Sequence, residues 1–247
     1  MIIVKTLNKK IGSSPFVVFL DLEGTQFTHE VISIGAIITK VGANGVVTPT
    51  KKGFHEYVIA QEKVSKFITE LTGISQDIVE KQGLTFSEAM RRLRIYIGVP
   101  LSKIKLVTFG FSDILMFQSS LKHQPENEAT KEMVTFFKNN HVDFQALLNQ
   151  YVKDNNGQGL SLLNAVQKFN LRFDGAQHNA LSDAINLMNL YNSFQTSYDI
   201  VLYEYKKILE KNQKLPRAIA RVMKHLNEGK TVTPQIYNKL IEDEIRD

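Results

Sequence analysis

Phe16-Val17-Val18-Phe19-Leu20-Asp21-Leu22-Glu23-Gly24-Thr25 is a short apolar run that ends in two acids. Continuous aromatic and β-branched residues over this length make a buried strand. Side chains alternate along a strand, so Asp21 and Glu23 leave the same face at its end. Two carboxylates a few ångströms apart repel, and burial raises the cost. A divalent cation resolves that conflict, and ligation by carboxylates alone favours a hard ion, Mg²⁺ or Mn²⁺. Taken alone, a D-x-E triplet is equally explained by a solvated strand end, so the rest of the chain has to decide.

Working outward, Val31–Thr39 alternates Ile32, Ile34, Ala36 and Ile38 with Ser33, Gly35 and Ile37 and reads as a second strand. A Gly42-Ala43-Asn44-Gly45 turn leads to a third, Val46–Ile59, with a polar middle. The connections are too short for crossover helices, so the three form an antiparallel meander. Helical periodicity then takes over at Ser65–Leu71, Ser75–Lys81 and Ser87–Ile97. Lys103–Phe109 is a fourth strand, followed by a helix at Ser112–Lys122 with Ser112 as its N-cap. A polar linker surrounds Pro125, and Val142-Asp143-Phe144 is a short fifth strand running into a helix at Gln145–Val152. Amphipathic helices follow at Leu160–Phe169 and Leu181–Phe194. This order implies an α/β fold, a mixed five-stranded sheet with helices packed on it.

Composition narrows the classes. Of 247 residues, 30 are Lys or Arg and 25 Asp or Glu, a net charge of +5, and 43% are hydrophobic. That suffices for one good-sized domain with an appendage and is too apolar for a disordered chain. The absence of cysteine excludes a thiolate nucleophile, Cys-ligated zinc and a disulfide scaffold, and allows the cytoplasm. No apolar run reaches the 18 or so residues of a membrane span. Met1–Lys10 lacks the apolar core of a secretory signal.

Two further segments carry acids. In His178-Asn179-Ala180-Leu181-Ser182-Asp183 the histidine precedes a helix and Asp183 falls in its first turns. Asp113 follows the fourth strand. Taken singly, these read as a cap histidine, an exposed acid and an acid favoured by a helix dipole.

Together the segments are more specific. The run Phe19-Leu20-Asp21-Leu22-Glu23-Gly24-Thr25, Asp113 after a strand, and His178 five residues before Asp183 resemble the three motifs of the DEDDh 3′–5′ exonucleases. Glu30–Ala36, Phe67–Ile74 and Phe173–His178 resemble that family's second strand, helix-and-turn signature and approach to the third motif. The likeness spans about Pro15 to Phe194 and is closest to the enhancer-of-RNAi and histone-mRNA exonuclease branch, with its bacterial members. It departs at Phe109-Gly110-Phe111-Ser112-Asp113, where the branch usually carries an aromatic residue immediately before the acid.

The resemblance implies an RNase H-like fold over residues 1–197 and hydrolysis of the 3′-terminal phosphodiester to 5′-mononucleotides. It implies two divalent cations, Mg²⁺ or Mn²⁺, held by Asp21, Glu23, Asp113 and Asp183, with Asp21 bridging. His178 takes the proton from the attacking water, a role that imidazole chemistry suits. Leu22 wedges against the terminal bases, and the backbone of Gly24 and Thr25 approaches the terminal sugar. The expected partner is the 3′ end of single-stranded RNA or DNA, with RNA ahead of DNA on the branch likeness. A polymerase-associated proofreading subunit would use the same residues, and a non-catalytic binding module would be free to lose acids that this chain retains.

Beyond Ser197 the composition shifts. Lys206–Lys230 holds eight Lys or Arg against two Glu, and Thr233-Pro234 starts a last helix ending in Glu242-Asp243-Glu244. Residues 198–247 read as a basic helical extension. Either it docks through Ile208, Leu209, Ile219, Val222, Met223 and Leu226, or it binds nucleic acid.

Overall fold

The computed structural model describes residues 5–124, 127–211 and 215–246. Met1–Val4, Pro125 of the expected linker and Lys214 of the basic tract lie outside them. The chain forms two compact units, residues 1–147 with 160–197, and residues 148–159 with 198–247.

In the first unit a helix, α1 (Lys5–Ile11), precedes the apolar run, which forms β1 (Phe16–Gly24). An antiparallel partner, β2 (Val31–Val41), lies on one side of β1, in register from Phe16 opposite Lys40 to Glu23 opposite Ser33. On the outer edge of β2 lie two short antiparallel strands, β3 (Val47–Pro49) and β4 (Phe54–Tyr57). The single third strand expected from the sequence is therefore broken in two. Pro49 has no N–H for the ladder, and after the Thr50 N–H bonds the Ile38 carbonyl at 3.0 Å pairing resumes only at Phe54, opposite Ala36. Helices α2 (Lys66–Thr72), α3 (Gln76–Gln82) and α4 (Phe86–Ile97) follow, each starting on a Ser or Thr whose side chain accepts a backbone N–H.

The chain then returns as β5 (Ile104–Thr108), parallel to the other side of β1. After it come α5 (Ser112–His123) and α6 (Glu128–Asn139), then β6 (His141–Asp143), parallel to β5. The sheet is mixed and six-stranded, in the order β3-β2-β1-β5-β6 with β4 also on β2. Ser112 is the first residue of α5 and not its cap; Phe111 holds that position with no side-chain bond. The expected linker holds α6, whose Asn127 caps Thr130 and whose Met133, Val134 and Phe137 are buried at helical spacing. Helix α7 (Phe144–Leu148) is shorter than the expected Gln145–Val152, and a turn follows it in which the Leu148 carbonyl accepts the N–H groups of Tyr151 and Val152. Helices α8 (Leu162–Lys168) and α9 (Ala180–Thr196) complete the unit.

The two faces of β1 divide the core. Val18, Leu20 and Leu22 join Phe86, Leu93, Phe117 and Phe137 of α4, α5 and α6. On the opposite face Phe19 meets Tyr191 of α9 edge-on at 5.2 Å. Strand alternation places Asp21 and Glu23 in the Phe19 row, on the face that α9 covers. Gly35 lets α9 come down. It pairs with Asp21, and a Cβ there would stand 2.0 Å from the Ala180 carbonyl carbon.

The second unit holds α10 (Tyr198–Glu210), α11 (Arg217–Asn227) and α12 (Pro234–Arg246). The Glu244 carboxylate of α12 accepts the N–H groups of Arg217 and Ala218 at 2.9 and 2.7 Å, capping α11 with a negative charge at its positive end. Tyr205 packs on Tyr151, and Lys211 donates to the Asn155 carbonyl. Among the described residues no helix is long and apolar enough to cross a membrane.

Candidate active site

Four acids from three parts of the chain converge at the end of β1. The carboxylate oxygens of Asp21, Glu23 and Asp183 lie within 4.8 Å of one another. Asp21 and Glu23 arrive by strand alternation. Asp183 arrives because α9 begins directly over Gly35. Asn179 caps α9 through the Ser182 N–H at 3.1 Å. The backbone N–H groups of His178 and Asn179 favour the ionised form of Asp183, and the Asp183 N–H donates to the Asn179 carbonyl at 2.9 Å. His178 has a positive φ of 58°, and its side chain is exposed.

Asp113 enters from the other side. The parallel ladder between β1 and β5 ends at Phe19 opposite Val107. Beyond it the Leu22 N–H donates to Asp113 Oδ1 at 2.9 Å. The first turn of α5 thus takes the place of a strand partner, and its acid is buried beside the Asp21–Glu23 pair.

The electrostatics are those of a cluster awaiting positive charge. Burial and then the neighbouring Asp113, Asp183 and Glu23 hold the Asp21 carboxyl well above its ordinary range. Burial and the Asp183 and Asp113 charges push Glu23 up to about 8. Burial raises Asp113 to about 7, although backbone N–H groups and Thr108 favour its ionised form, and raises Asp183 to about 6. No Lys or Arg forms an ion pair with any of the four among the described residues. Four carboxylates sharing one site with no cationic side chain fit divalent cations.

A cleft of about 250 Å³ opens onto the cluster, lined by Asp21, Glu23 and Asp183 together with Phe109, Phe173 and His178. A larger hollow of about 650 Å³ lies between α4 and α6, lined by Met90, Met133 and Phe136. Its Glu88 is already bonded to Arg91, and the acids of β1 do not line it.

The remaining residues singled out from the sequence are less open. Leu22 lines the cleft but also packs in the core, 5% exposed. Gly24 is buried, and a Cβ there would meet Met116 Sδ at 3.2 Å and the Glu30 carbonyl at 3.3 Å. The Thr25 hydroxyl is buried and accepts the Glu30 N–H at 2.9 Å. These contacts fold the turn back into β2. That turn presents Phe27, 77% exposed, with its N–H held by Glu62. Thr108 and His141, which stand behind Asp113, escaped the sequence reading because each sits alone in a strand with no spacing to mark it.

Comparison with known proteins agrees with this geometry. The RNase T exonuclease family model matches residues 18–191. The chain belongs to that exonuclease family. No curated protein matches the sequence. Among solved structures, the nuclease domain of 3′hExo bound to rAMP superposes with a TM-score of 0.59 at 18% identity, covering 76% of this chain and 94% of that one. Cell-death related nuclease 4 (CRN-4) gives 0.57 at 18% identity over 76% of this chain and 65% of that one. E. coli exonuclease I in complex with a dA16 oligonucleotide gives 0.55 at 13% identity over 81% of this chain, which spans only 44% of that protein. At these identities the likeness is one of fold.

Proposed function

We propose that this protein removes 5′-mononucleotides from the 3′ end of single-stranded nucleic acid, RNA ahead of DNA, with two divalent cations, Mg²⁺ or Mn²⁺, held by Asp21, Glu23, Asp113 and Asp183. The observation that carries the reading is the convergence of Asp21, Glu23 and Asp183 on a cleft that His178 also lines, with Asp113 bonded to the Leu22 N–H beside them and no Lys or Arg among the described residues paired with any of the four. When bound, the cations supply the positive charge that lowers the pKa of water and stabilises the leaving 3′-oxygen. His178 accepts the proton of the attacking water. Its exposed ring has room to face that water. Phe109 and Phe173 line the cleft as apolar surface for the terminal nucleotide. The catalytic part is residues 1–197, and the extension 198–247 is not required for the chemistry, since all five of these polar residues precede it.

The test is cleavage of 3′- and 5′-labelled single-stranded and duplex RNA and DNA with Mg²⁺, Mn²⁺ or chelator. Stepwise loss of 3′ nucleotides that needs the metal is expected. Full activity in excess chelator, or cleavage of a circular strand, would contradict the reading.

A further inference from the structure

We infer that Asn186 is a positioning residue that fixes Phe173 in the catalytic cleft. The inference rests on the proposed reading of Phe173 as apolar surface for the terminal nucleotide.

Between α8 and α9 the chain has no helix or strand, and residues 172–178 are exposed apart from half-buried Phe173. The path bends sharply, with positive φ at Asn170 (57°), Gly175 (77°) and His178 (58°). It has no strand ladder to hold it, yet Phe173, Gln177 and His178 all line the cleft. Asn186 does what a neighbouring strand would. It lies on α9 and is 1% exposed. Its Oδ1 accepts the Asp174 N–H at 2.9 Å. Its Nδ2 donates to the Asp174 and Ser182 carbonyls, both at 2.8 Å. The loop is also seated on the first turn of α9, since a Cβ at Gly175 would stand 2.3 Å from Ser182 Oγ.

A count of hydrogens leaves this amide one orientation. Nδ2 has two hydrogens and faces two carbonyl oxygens, which only accept; Oδ1 faces an N–H, which only donates. Turned over, the amide would oppose like groups at all three contacts in a buried site. The Asp174 N–H belongs to the same rigid peptide plane as the Phe173 Cα. The bond to Oδ1 therefore fixes the point from which the Phe173 ring leaves the chain. Asp174 is exposed, so without the amide its backbone groups turn to water, and the ring is free to leave the cleft while the helices behind it stay in place.

The experiment measures KM and kcat of the full chain on a single-stranded RNA oligonucleotide at saturating Mn²⁺, and hydrogen exchange of the Asp174 amide without nucleic acid. The variants are Asn186→Leu, which keeps the shape and makes none of the three bonds, Asn186→Ala, Phe173→Ala, and Asn186→Leu combined with Phe173→Ala. Losing the stacking surface for one base typically costs about 10-fold in affinity, so KM should rise by about that factor in Phe173→Ala and by about 3-fold or more in Asn186→Leu. In both, kcat should hold near wild type, and the Asp174 amide should exchange faster in Asn186→Leu. The combined variant should lose no more than Phe173→Ala, because Asn186 acts through that ring; a general structural defect would add to it. Wild-type KM or wild-type Asp174 exchange in a folded Asn186→Leu protein, with Phe173→Ala impaired, overturns the inference and leaves the reading of Phe173 intact. A fall in kcat at unchanged KM also overturns it. Wild-type KM in Phe173→Ala, or a wild-type protein that cleaves nothing, overturns the reading and the inference with it. If Asn186→Leu does not fold, Asn186→Ala decides alone, and unchanged KM there refutes the clamp.

Discussion

Replacing Glu23 by Gln should make the metal-free protein more stable at pH 8 while destroying its response to metal. Glu23 is buried beside Asp21, Asp113 and Asp183 and has no cationic partner among the described residues, so its charge is a liability in the metal-free protein. Its carboxyl rises from 4.5 to about 8 on folding, through burial first and the Asp183 and Asp113 charges second. Below pH 4.5 the group is protonated in both folded and unfolded chains and pH has no effect through it. Between 4.5 and 8 the folded state holds a proton that the unfolded state has lost, so stability falls as pH rises. Above 8 the full penalty applies. At about 1.4 kcal/mol per pH unit the shift bounds that penalty at about 5 kcal/mol. The neighbouring acids can protonate in its place, so about half of this, 2–3 kcal/mol, is the working figure, or roughly 5–10 °C in melting temperature for a chain of this size.

The assay is thermal unfolding of wild type and Glu23→Gln in chelator at pH 5 and pH 8, repeated with Mn²⁺. At pH 8 the variant should melt several degrees higher than wild type, and at pH 5 the gap should close. Mn²⁺ at a hundred times its dissociation constant should stabilise wild type by about 2.7 kcal/mol and the variant by much less. A variant that melts below wild type at pH 8 in chelator would show that Glu23 makes a stabilising bond, and would refute the argument.

Three further outcomes follow from the same geometry. His178→Ala should keep wild-type Mn²⁺ binding and lose about 10²–10⁴-fold in turnover, the usual loss for a general base; a rate within a few-fold of wild type at saturating Mn²⁺ rules out the role. Gly35→Ala should cost about 3 kcal/mol or more, because its Cβ would have to displace the backbone at Ala180; a urea titration showing less than about 1 kcal/mol would show that α9 yields easily. Changing exposed Lys206, Arg221 and Lys224 together to Gln should weaken single-strand binding and flatten its log–log salt slope by about 2, at about 0.7 per phosphate contact, leaving the hydrolysis of a chromogenic mononucleotide ester unchanged; an unchanged slope would assign the extension to packing.

Much of the site was legible because it rests on local rules. Strand alternation alone puts Asp21 and Glu23 on one face, and the polar stretch before α9 marks where His178 and Asp183 belong. What was not legible depends on where elements meet. The place of Asp113 follows from the β1–β5 ladder ending two residues short of Asp21, a register that no periodicity records. The tight approach of α9 depends on Gly35, which in the sequence is only one small residue in an apolar strand. At Gly24 the absence of a side chain has a packing reason that the sequence does not record: a Cβ would crowd Met116 and the Glu30 carbonyl. Helix α6 was missed because its polar flank hides an apolar stripe of only a few residues.

These particulars explain why the acids collect at this end of the sheet. At its other positions β1 is closed on both sides by β2 and β5 and on both faces by helices. After Phe19 the partner on one side ends, and the Leu22 N–H must find an acceptor elsewhere. An acid in the first turn of α5 satisfies it and is favoured by the positive end of that helix. The strand end therefore draws in one carboxylate to complete its hydrogen bonds, beside two that alternation has already aimed at α9 and a third that α9 carries on its own first turn. Each is placed by an ordinary rule of strand or helix, and only their sum is unfavourable. An amide at any one of the four positions would ease that repulsion, and the cation charge proposed for this site is what would offset it.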